Sequence, residues 1–317
     1  MKRALILPAL IPLFFLSCEK EELPIDPKPD SGYITSIQEI GSNYSDQIFY
    51  DLNTNTAILV QPKDLFDLKL NCSDTNDHIL LNSAIAMGST FIPNADFNTA
   101  INVNDHLFYP DHPSGDQDSL TLGKWWNNNG LYVIHRGYTV SGIPKGYFKL
   151  KLTKVGNDVR VITSELDGSN LDSVDLVKDN TYNFVGFDFD SYAQVVIEPA
   201  KESWDLLFSQ YTHIFEDSIT YLVTGVLLNP RKSRAAILQG DFDEANLQDA
   251  ISHNLLWKED VLGYDWKWYN YDAQLFEIVP NQYLILSQTG TYFKLRFTDF
   301  YNQQGEKGSF NFEYYPL

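Results

Sequence analysis

An internal repeat constrains the fold of this 317-residue chain more than any other feature of its sequence. Short motifs recur in the same order and at nearly the same spacing. They read FYDL at 49–52 and FDF at 187–189, ILVQP at 58–62 and VVIEP at 195–199, LFDL at 65–68 and WDLL at 204–207, and YFKL at both 147–150 and 292–295. We also align Met87-Gly88 with Thr224-Gly225. The pattern predicts two diverged copies of one module.

Each copy is about 140 residues long, which is enough to bury a core of its own. A polar stretch, Asp167–Asn170, separates the last motif of the first copy from the first motif of the second. The sequence therefore predicts two tandem domains, at residues 33–177 and 178–317.

The local patterns favour a mainly β, antiparallel fold. Phe293, Leu295 and Phe297 alternate with polar residues, the period of a strand with one solvated face. Other short runs are rich in β-branched and aromatic residues, which favour strands. They are Val195–Ile197, Tyr221–Leu228 and Tyr283–Leu286. We expect few helices, and the clearest candidate runs from Asp241, as its cap, to Lys258.

The N-terminus predicts export and lipid attachment. A basic head, Lys2-Arg3, precedes a short apolar run that ends at Ser17-Cys18, which is typical of a secretory signal at residues 1–17. The segment Phe15–Cys18 resembles a bacterial lipobox, in which the thiol of Cys18 receives the lipid. Residues 18–32 are rich in proline and charge, so we expect an extended tether there.

Charge excludes one large class of partners. The chain has a formal charge of −19, and removal of residues 1–17 takes away Lys2 and Arg3 and no acidic residue, which gives −19 − 2 = −21. Nucleic acid is therefore not an expected partner.

The second copy resembles the HmuY family of haem-binding lipoproteins. The resemblance rests on four segments, which are WDLLF at 204–208, YLVTGVLLN at 221–229, GYDWKW at 263–268 and YFKLRF at 292–297, and it continues to Tyr314. The first copy, with FDL at 66–68 in place of WDL, matches more weakly. The charged residues directly after Cys18, Glu19–Glu22, resemble the export signal of surface lipoproteins in Bacteroidetes.

The resemblance implies a β fold and a function in haem uptake. It implies a lipid-anchored protein at the outer membrane, on the cell surface, that takes haem from solution or from host haemoproteins and passes it to a TonB-dependent transporter. Characterised members hold the iron through histidine or methionine side chains. No local motif carries those ligands over to particular residues of this chain.

Candidate haem-binding residues follow from what haem requires, which is a neutral imidazole or thioether on the iron and cations for the propionates. His213 and His253 are the histidines of the second copy, and both lie among aromatic residues. Arg231, Lys232 and Arg234 form the one basic cluster. We predict the two histidines as axial ligands and the three cations as propionate partners, although packed histidines and a solvated turn would give the same pattern.

Other polar and aromatic groups have plainer interpretations. Met87 is expected in the core, His78 at the surface and Cys72 as a small core residue. The acids and histidines at 106–118 lack the spacing of a metal site, so we expect a polar loop and no metal. Trp125-Trp126 and the aromatic residues at 266–271 could form a sugar-stacking platform or belong to a β core.

The sequence contains no Gly-x-Ser-x-Gly motif, phosphate-binding loop or dinucleotide fingerprint, so we predict a binding protein without catalytic residues. One alternative is a non-catalytic glycan- or peptide-binding surface lipoprotein that has lost haem binding. A second is a glycan hydrolase, which would need two carboxylates to converge in space.

Overall fold

The computed structural model describes residues 32–216 and 219–317. Within them Tyr33–Leu317 forms one compact unit, and no helix there is long and apolar enough to cross a membrane. The predicted signal peptide, Cys18 and the tether up to residue 31 lie outside the described residues.

The described residues are mainly β, as predicted. The strands are β1 (Ile34–Glu39), β2 (Asp46–Asp51), β3 (Thr56–Pro62), β4 (Leu68–Asn71), β5 (Ile79–Leu81), β6 (Gly88–Pro93), β7 (Gly130–His135), β8 (Tyr147–Val155), β9 (Asp158–Ser164), β10 (Asp172–Leu176), β11 (Phe184–Asp188), β12 (Ala193–Val195), β13 (Leu206–Ile214), β14 (Thr220–Leu228), β15 (Arg234–Ile237), β16 (Lys267–Asn270), β17 (Leu275–Ile278), β18 (Gln282–Leu286), β19 (Tyr292–Tyr301) and β20 (Lys307–Pro316). The helices are α1 (Leu247–Ser252) and four 3-10 turns, at Ser83–Ile85, Val103–Asp105, Gln117–Ser119 and Trp125–Asn127.

The strands form two sets of antiparallel sheets with the same order. One five-stranded sheet runs β1-β20-β19-β18-β15 and the other runs β10-β9-β8-β7-β6. One four-stranded sheet runs β14-β13-β2-β3, and the other runs β5-β4-β11-β12. Strands β1–β9 therefore correspond, in chain order, to β10–β15 and β18–β20. Among the described strands only the β16–β17 hairpin has no counterpart.

Strands β1–β3 join sheets built from later strands, β13–β15 and β18–β20, whereas strands β10–β12 join sheets built from β4–β9. β1 pairs with β20 and β2 pairs with β13, whereas β10 pairs with β9 and β11 pairs with β4. Because three of the four larger sheets contain strands from both sides of it, the predicted boundary at residues 177 and 178 does not separate two packed bodies. As a boundary between two repeats it stays a prediction.

Two main hydrophobic cores follow from this exchange. The first contains Tyr50 from β2 together with residues of the second copy, such as Phe208 and Trp266, whose ring stacks on Phe297 at 4.0 Å. The second core draws on residues 68–189, including Met87 and Cys72, and both of these side chains are buried as predicted.

Matching hydrogen bonds fix the start of both four-stranded sheets. The N–H of Asn82 donates to the carbonyl of Asp67, and the N–H of Asn229 donates to the carbonyl of Asp205, at 2.8 Å in each case. Each asparagine amide also donates to two carbonyls of the segment before its aspartate. The repeated Asp-Leu motif thus has the same local environment in both sets.

Two sequence-based expectations are wrong. The predicted helix at 241–258 is limited to α1, because Asn246, not Asp241, caps it and closes a capping box with Asp249. The aligned glycines also differ, since Gly88 begins β6 whereas Gly225 lies inside β14.

The alternation of apolar and polar residues predicts the position of β19 correctly, but it does not predict the burial of Lys294. Phe293, Leu295 and Phe297 are buried as expected, yet Lys294 between them is only 4% exposed. A loop covers the face that the pattern assigns to solvent, because the Nζ of Lys294 donates to the carbonyls of Phe242 and Ala245.

Candidate functional site

The end of β13 carries His213 into a cavity of about 450 Å³. The cavity is lined by His213, Ile214, Phe215, Glu216, Ile219 and Tyr264. The imidazole ring lies 4.8 Å from the ring of Phe215 and 4.8 Å from that of Tyr264. The walls therefore combine aromatic and aliphatic side chains with polar groups, and the rings offer faces to a flat ligand.

The imidazole of His213 is available as a base. Burial lowers its pKa, which outweighs the opposing effect of Asp260, so the ring is neutral at pH 7. Its Nδ1 is buried and has no hydrogen-bond partner among the described residues. A neutral imidazole with a free nitrogen is the form that binds a metal.

The predicted second ligand, His253, lies elsewhere. It follows α1, and its Nδ1 lies 2.7 Å from the carbonyl oxygen of Asp249. Three residues later Leu256 pairs with Ala235 of β15, which belongs to a different sheet from β13. His253 is not among the residues that line the His213 cavity.

The predicted propionate partners have protein partners of their own. The guanidinium of Arg231 donates to Oδ1 of Asn71, and Lys232 forms an ion pair with Glu202 at 2.6 Å. The guanidinium of Arg234 lies 4.7 Å from the ring of Trp257.

These cations are also remote from His213. In the β13–β14 hairpin Leu206 pairs with Leu228 and His213 pairs with Tyr221. His213 therefore lies seven residues along β13 from the Leu206–Leu228 pair. At about 3.3 Å per residue they span about 23 Å. Arg231 lies beyond the Leu228 end, so the fold does not bring the basic cluster to the His213 cavity.

A second cavity, of about 350 Å³, has mostly polar walls. It is lined by Asn71, Ser73, Thr75, Asn76, His78, Leu80, Ser114, Gly115, Gln117, Leu120, Phe184, Pro230, Arg231, Trp257 and Glu259. These residues come from strands and loops far apart in sequence, so no local motif could indicate the cavity. The sequence-based assignment of His78 to the surface is wrong, since its side chain is buried.

Two carboxyl groups with raised pKa values lie in or next to this cavity. The Oε1 of Glu198 accepts the N–H of Phe184 at 3.0 Å, and burial raises the pKa of Glu198 to about 7. Burial also raises the pKa of Glu259, against the attraction of Lys69. The carboxyl group of Glu259 therefore gives the cavity a titratable wall.

The acidic groups with metal-like geometry have structural partners. The carboxylates of Asp67, Asp188 and Asp190 offer oxygens within 4.8 Å of one another. Arg136, however, pairs with Asp67 at 2.9 Å and with Asp190 at 2.8 Å, and Lys145 also contacts both. The protein's own cations thus compensate this cluster.

The predicted polar loop contains an anchor. Asp111 is buried, and its carboxylate accepts the N–H groups of Leu81 and Thr121, both at 2.7 Å. This carboxylate fixes the loop to β5. His112 in the same loop contacts Ser114 through its Nδ1 at 2.9 Å.

Comparison with known proteins identifies a family. No curated protein sequence matches the chain. Among solved structures, apo PinO from Porphyromonas gingivitis is similar at 11% identity with a TM-score of 0.35, over 90% of this chain and 97% of that one. The apo HmuY analog of Tannerella forsythia is similar at 12% identity with a TM-score of 0.32, over 90% and 96% of the two chains. The HmuY protein family model matches residues 43–314. The chain therefore belongs to the HmuY family.

Proposed function

We propose that this protein is a non-enzymatic, lipid-anchored surface protein that binds haem or a similar planar ligand at the His213 cavity. The family includes haem-binding proteins, and its members are binding proteins rather than enzymes. The observation that carries the choice of site is the neutral imidazole of His213, whose Nδ1 has no hydrogen-bond partner among the described residues and whose ring contacts two aromatic rings. His213 would bind the iron, and Phe215 and Tyr264 would contact the porphyrin.

The acidic surroundings of this cavity bear on the ligand's orientation. Glu216 lines it, and the charges of Asp260 and Asp265 act on His213. These carboxylates would repel propionates, so we expect the propionates to point out of the cavity toward solvent. Arg231, Lys232 and Arg234 have no part in this geometry. Propionate binding by these three residues would need a different haem site.

Haemin titration of residues 19–317, the mature chain without its lipidated Cys18, tests the proposal. We expect a shifted Soret band that saturates at one haemin per protein. Because His253 does not line the cavity, we expect His253→Ala to retain the band. A spectrum identical to that of free haemin would contradict the proposal and favour a family member that has lost haem binding.

Attachment through Cys18 at the outer membrane is part of the same proposal. Several acyl chains on one cysteine give stable membrane binding, since each buried methylene contributes about 0.8 kcal/mol. A TonB-dependent transporter at the same membrane would receive the haem. We expect Cys18→Ser to abolish labelling by radioactive palmitate and to move the protein from the membrane to the soluble fraction. Unchanged labelling would exclude Cys18 as the lipidated residue.

We also propose that the two sets of sheets are diverged copies of one module. Their identical strand order and the matching bonds of Asn82 and Asn229 support this. Each copy would then use the other's first three strands to complete its sheets.

A further inference from the structure

The polar cavity differs from the His213 cavity in what it can bind. Its walls come from the loop after β4, the loop at 114–120, the turn after β14 and the segment before residue 260. Amide and hydroxyl groups dominate these walls, whereas rings surround His213. Such a surface offers donors and acceptors at short intervals, which a porphyrin face cannot satisfy.

One buried side chain in this cavity lacks a partner. His78 is 6% exposed, and its Nδ1 lies 2.7 Å from Oδ1 of Asn76. The amide oxygen only accepts, so Nδ1 carries the proton and Nε2 has a lone pair. That Nε2 is buried with no hydrogen-bond partner among the described residues. A hydroxyl group of a ligand would satisfy it.

An aromatic face stands at the rim of the same cavity. Trp257 lines the cavity and is 54% exposed, so its indole is accessible to a ligand. The guanidinium of Arg234, 4.7 Å from its ring, holds the indole in place. A sugar ring presents C–H groups on one face and hydroxyls at its edge, so it matches an indole beside polar side chains.

The charges favour a neutral ligand over an anion. Arg231 lines the cavity, but its guanidinium already donates to Asn71. Glu259 lines the same cavity and brings a carboxyl group next to any bound anion. Hydroxyl groups can donate to a carboxylate and accept from a guanidinium, so they suit both walls.

We propose that this cavity is a binding site for a neutral oligosaccharide, with Trp257 stacking on a sugar ring and His78 accepting a hydroxyl hydrogen bond. The site is separate from the one proposed for haem and does not depend on it. The protein would hold a surface glycan or a glycosylated host protein while the His213 cavity remains free for a planar ligand.

Calorimetric titration of the mature chain with maltotriose, chitotriose and mannotriose tests this site. We expect at least one to bind and to quench tryptophan fluorescence. Trp257→Ala should weaken that binding at least tenfold. Trp268→Ala is the matched control, because Trp268 is similarly exposed, at 49%, but lies on β16 outside the cavity.

A second variant fills the cavity and so tests the site without removing the indole ring of Trp257. Thr75 is exposed and lines the cavity, so Thr75→Trp should block it without removing a buried contact. We expect this variant to lose sugar binding and to keep the haemin spectrum of the unmodified chain. No binding by any of the three sugars at millimolar concentration, or binding unchanged in both Trp257→Ala and Thr75→Trp, would overturn the proposal. Loss of the Soret shift in Thr75→Trp would instead assign the cavity to haem.

Discussion

Lys149 and Lys294 occupy corresponding positions on β8 and β19, and both are buried beneath a loop whose carbonyls they bind. The Nζ of Lys149 donates to the carbonyls of Phe97 and Thr99 at 2.8 and 2.7 Å. The Nζ of Lys294 donates to the carbonyl of Phe242 at 2.7 Å. Each lysine therefore fastens a covering loop to the outer face of its five-stranded sheet.

Replacement of either lysine should loosen its loop. In Lys149→Met the alkyl chain remains but the carbonyls lose their donor, and an unsatisfied buried group costs about 1–3 kcal/mol. We expect the free energy of unfolding to fall by that amount in urea denaturation. Lys151→Met, an exposed position two residues along the same strand, should change it by less than about 0.5 kcal/mol. Equal effects of the two variants would mean that the loop contacts contribute nothing.

The exchange of strands predicts how fragments behave. A chain cut at Gly168 gives residues 33–168, with β1–β9, and residues 169–317, with β10–β20. Alone, the first fragment leaves one edge of β4 and of β9 unpaired, and the second leaves one edge of β13 and of β20 unpaired. Neither fragment should therefore show native near-ultraviolet circular dichroism. Mixed in equal amounts they should associate and unfold in one cooperative transition. Cooperative unfolding of residues 169–317 alone would instead support two independent domains.

Glu198 should make stability depend on pH. Its pKa in the folded protein, about 7, lies above the ordinary 4.5, so the folded state favours the protonated form. This contribution is complete below about pH 4.5 and is lost as the pH rises through 7.

Glu198→Gln retains an acceptor oxygen for the N–H of Phe184 and has no charge to bury. We expect it to be more stable than the unmodified chain by about 1–3 kcal/mol at pH 8 and similar to it at pH 5. The measurement is urea denaturation at both pH values. The exposed Glu244→Gln serves as a control without this difference. A Glu198→Gln advantage that is the same at both pH values would contradict a raised pKa.

The sequence predicts the strands better than it predicts their surroundings. The alternation of apolar and polar residues places β19 correctly, because successive side chains of a strand point to opposite faces of the sheet. It assigns Lys294 to solvent because the covering loop lies about 50 residues away in the chain. The long helix at 241–258 is a similar error, since its apolar spacings match a helix although only Leu247–Ser252 is helical.

The candidate sites show the same limit. Aromatic neighbours in sequence correctly indicate the setting of His213, because Phe215 lies two residues away. The polar cavity joins His78 to Trp257, and only the folded chain brings residues so far apart together. Propionate binding by the basic cluster at 231–234 stays a prediction, and its three side chains contact three different partners.

The most direct test of haem binding at β13 compares two histidine variants by haemin absorbance titration. His213→Ala removes the proposed iron ligand, whereas His106→Ala removes a histidine that does not line the cavity. We predict that His213→Ala loses the shifted Soret band, or binds haemin at least tenfold more weakly, and that His106→Ala matches the unmodified chain. A Soret band of unchanged position and affinity in His213→Ala would contradict the account.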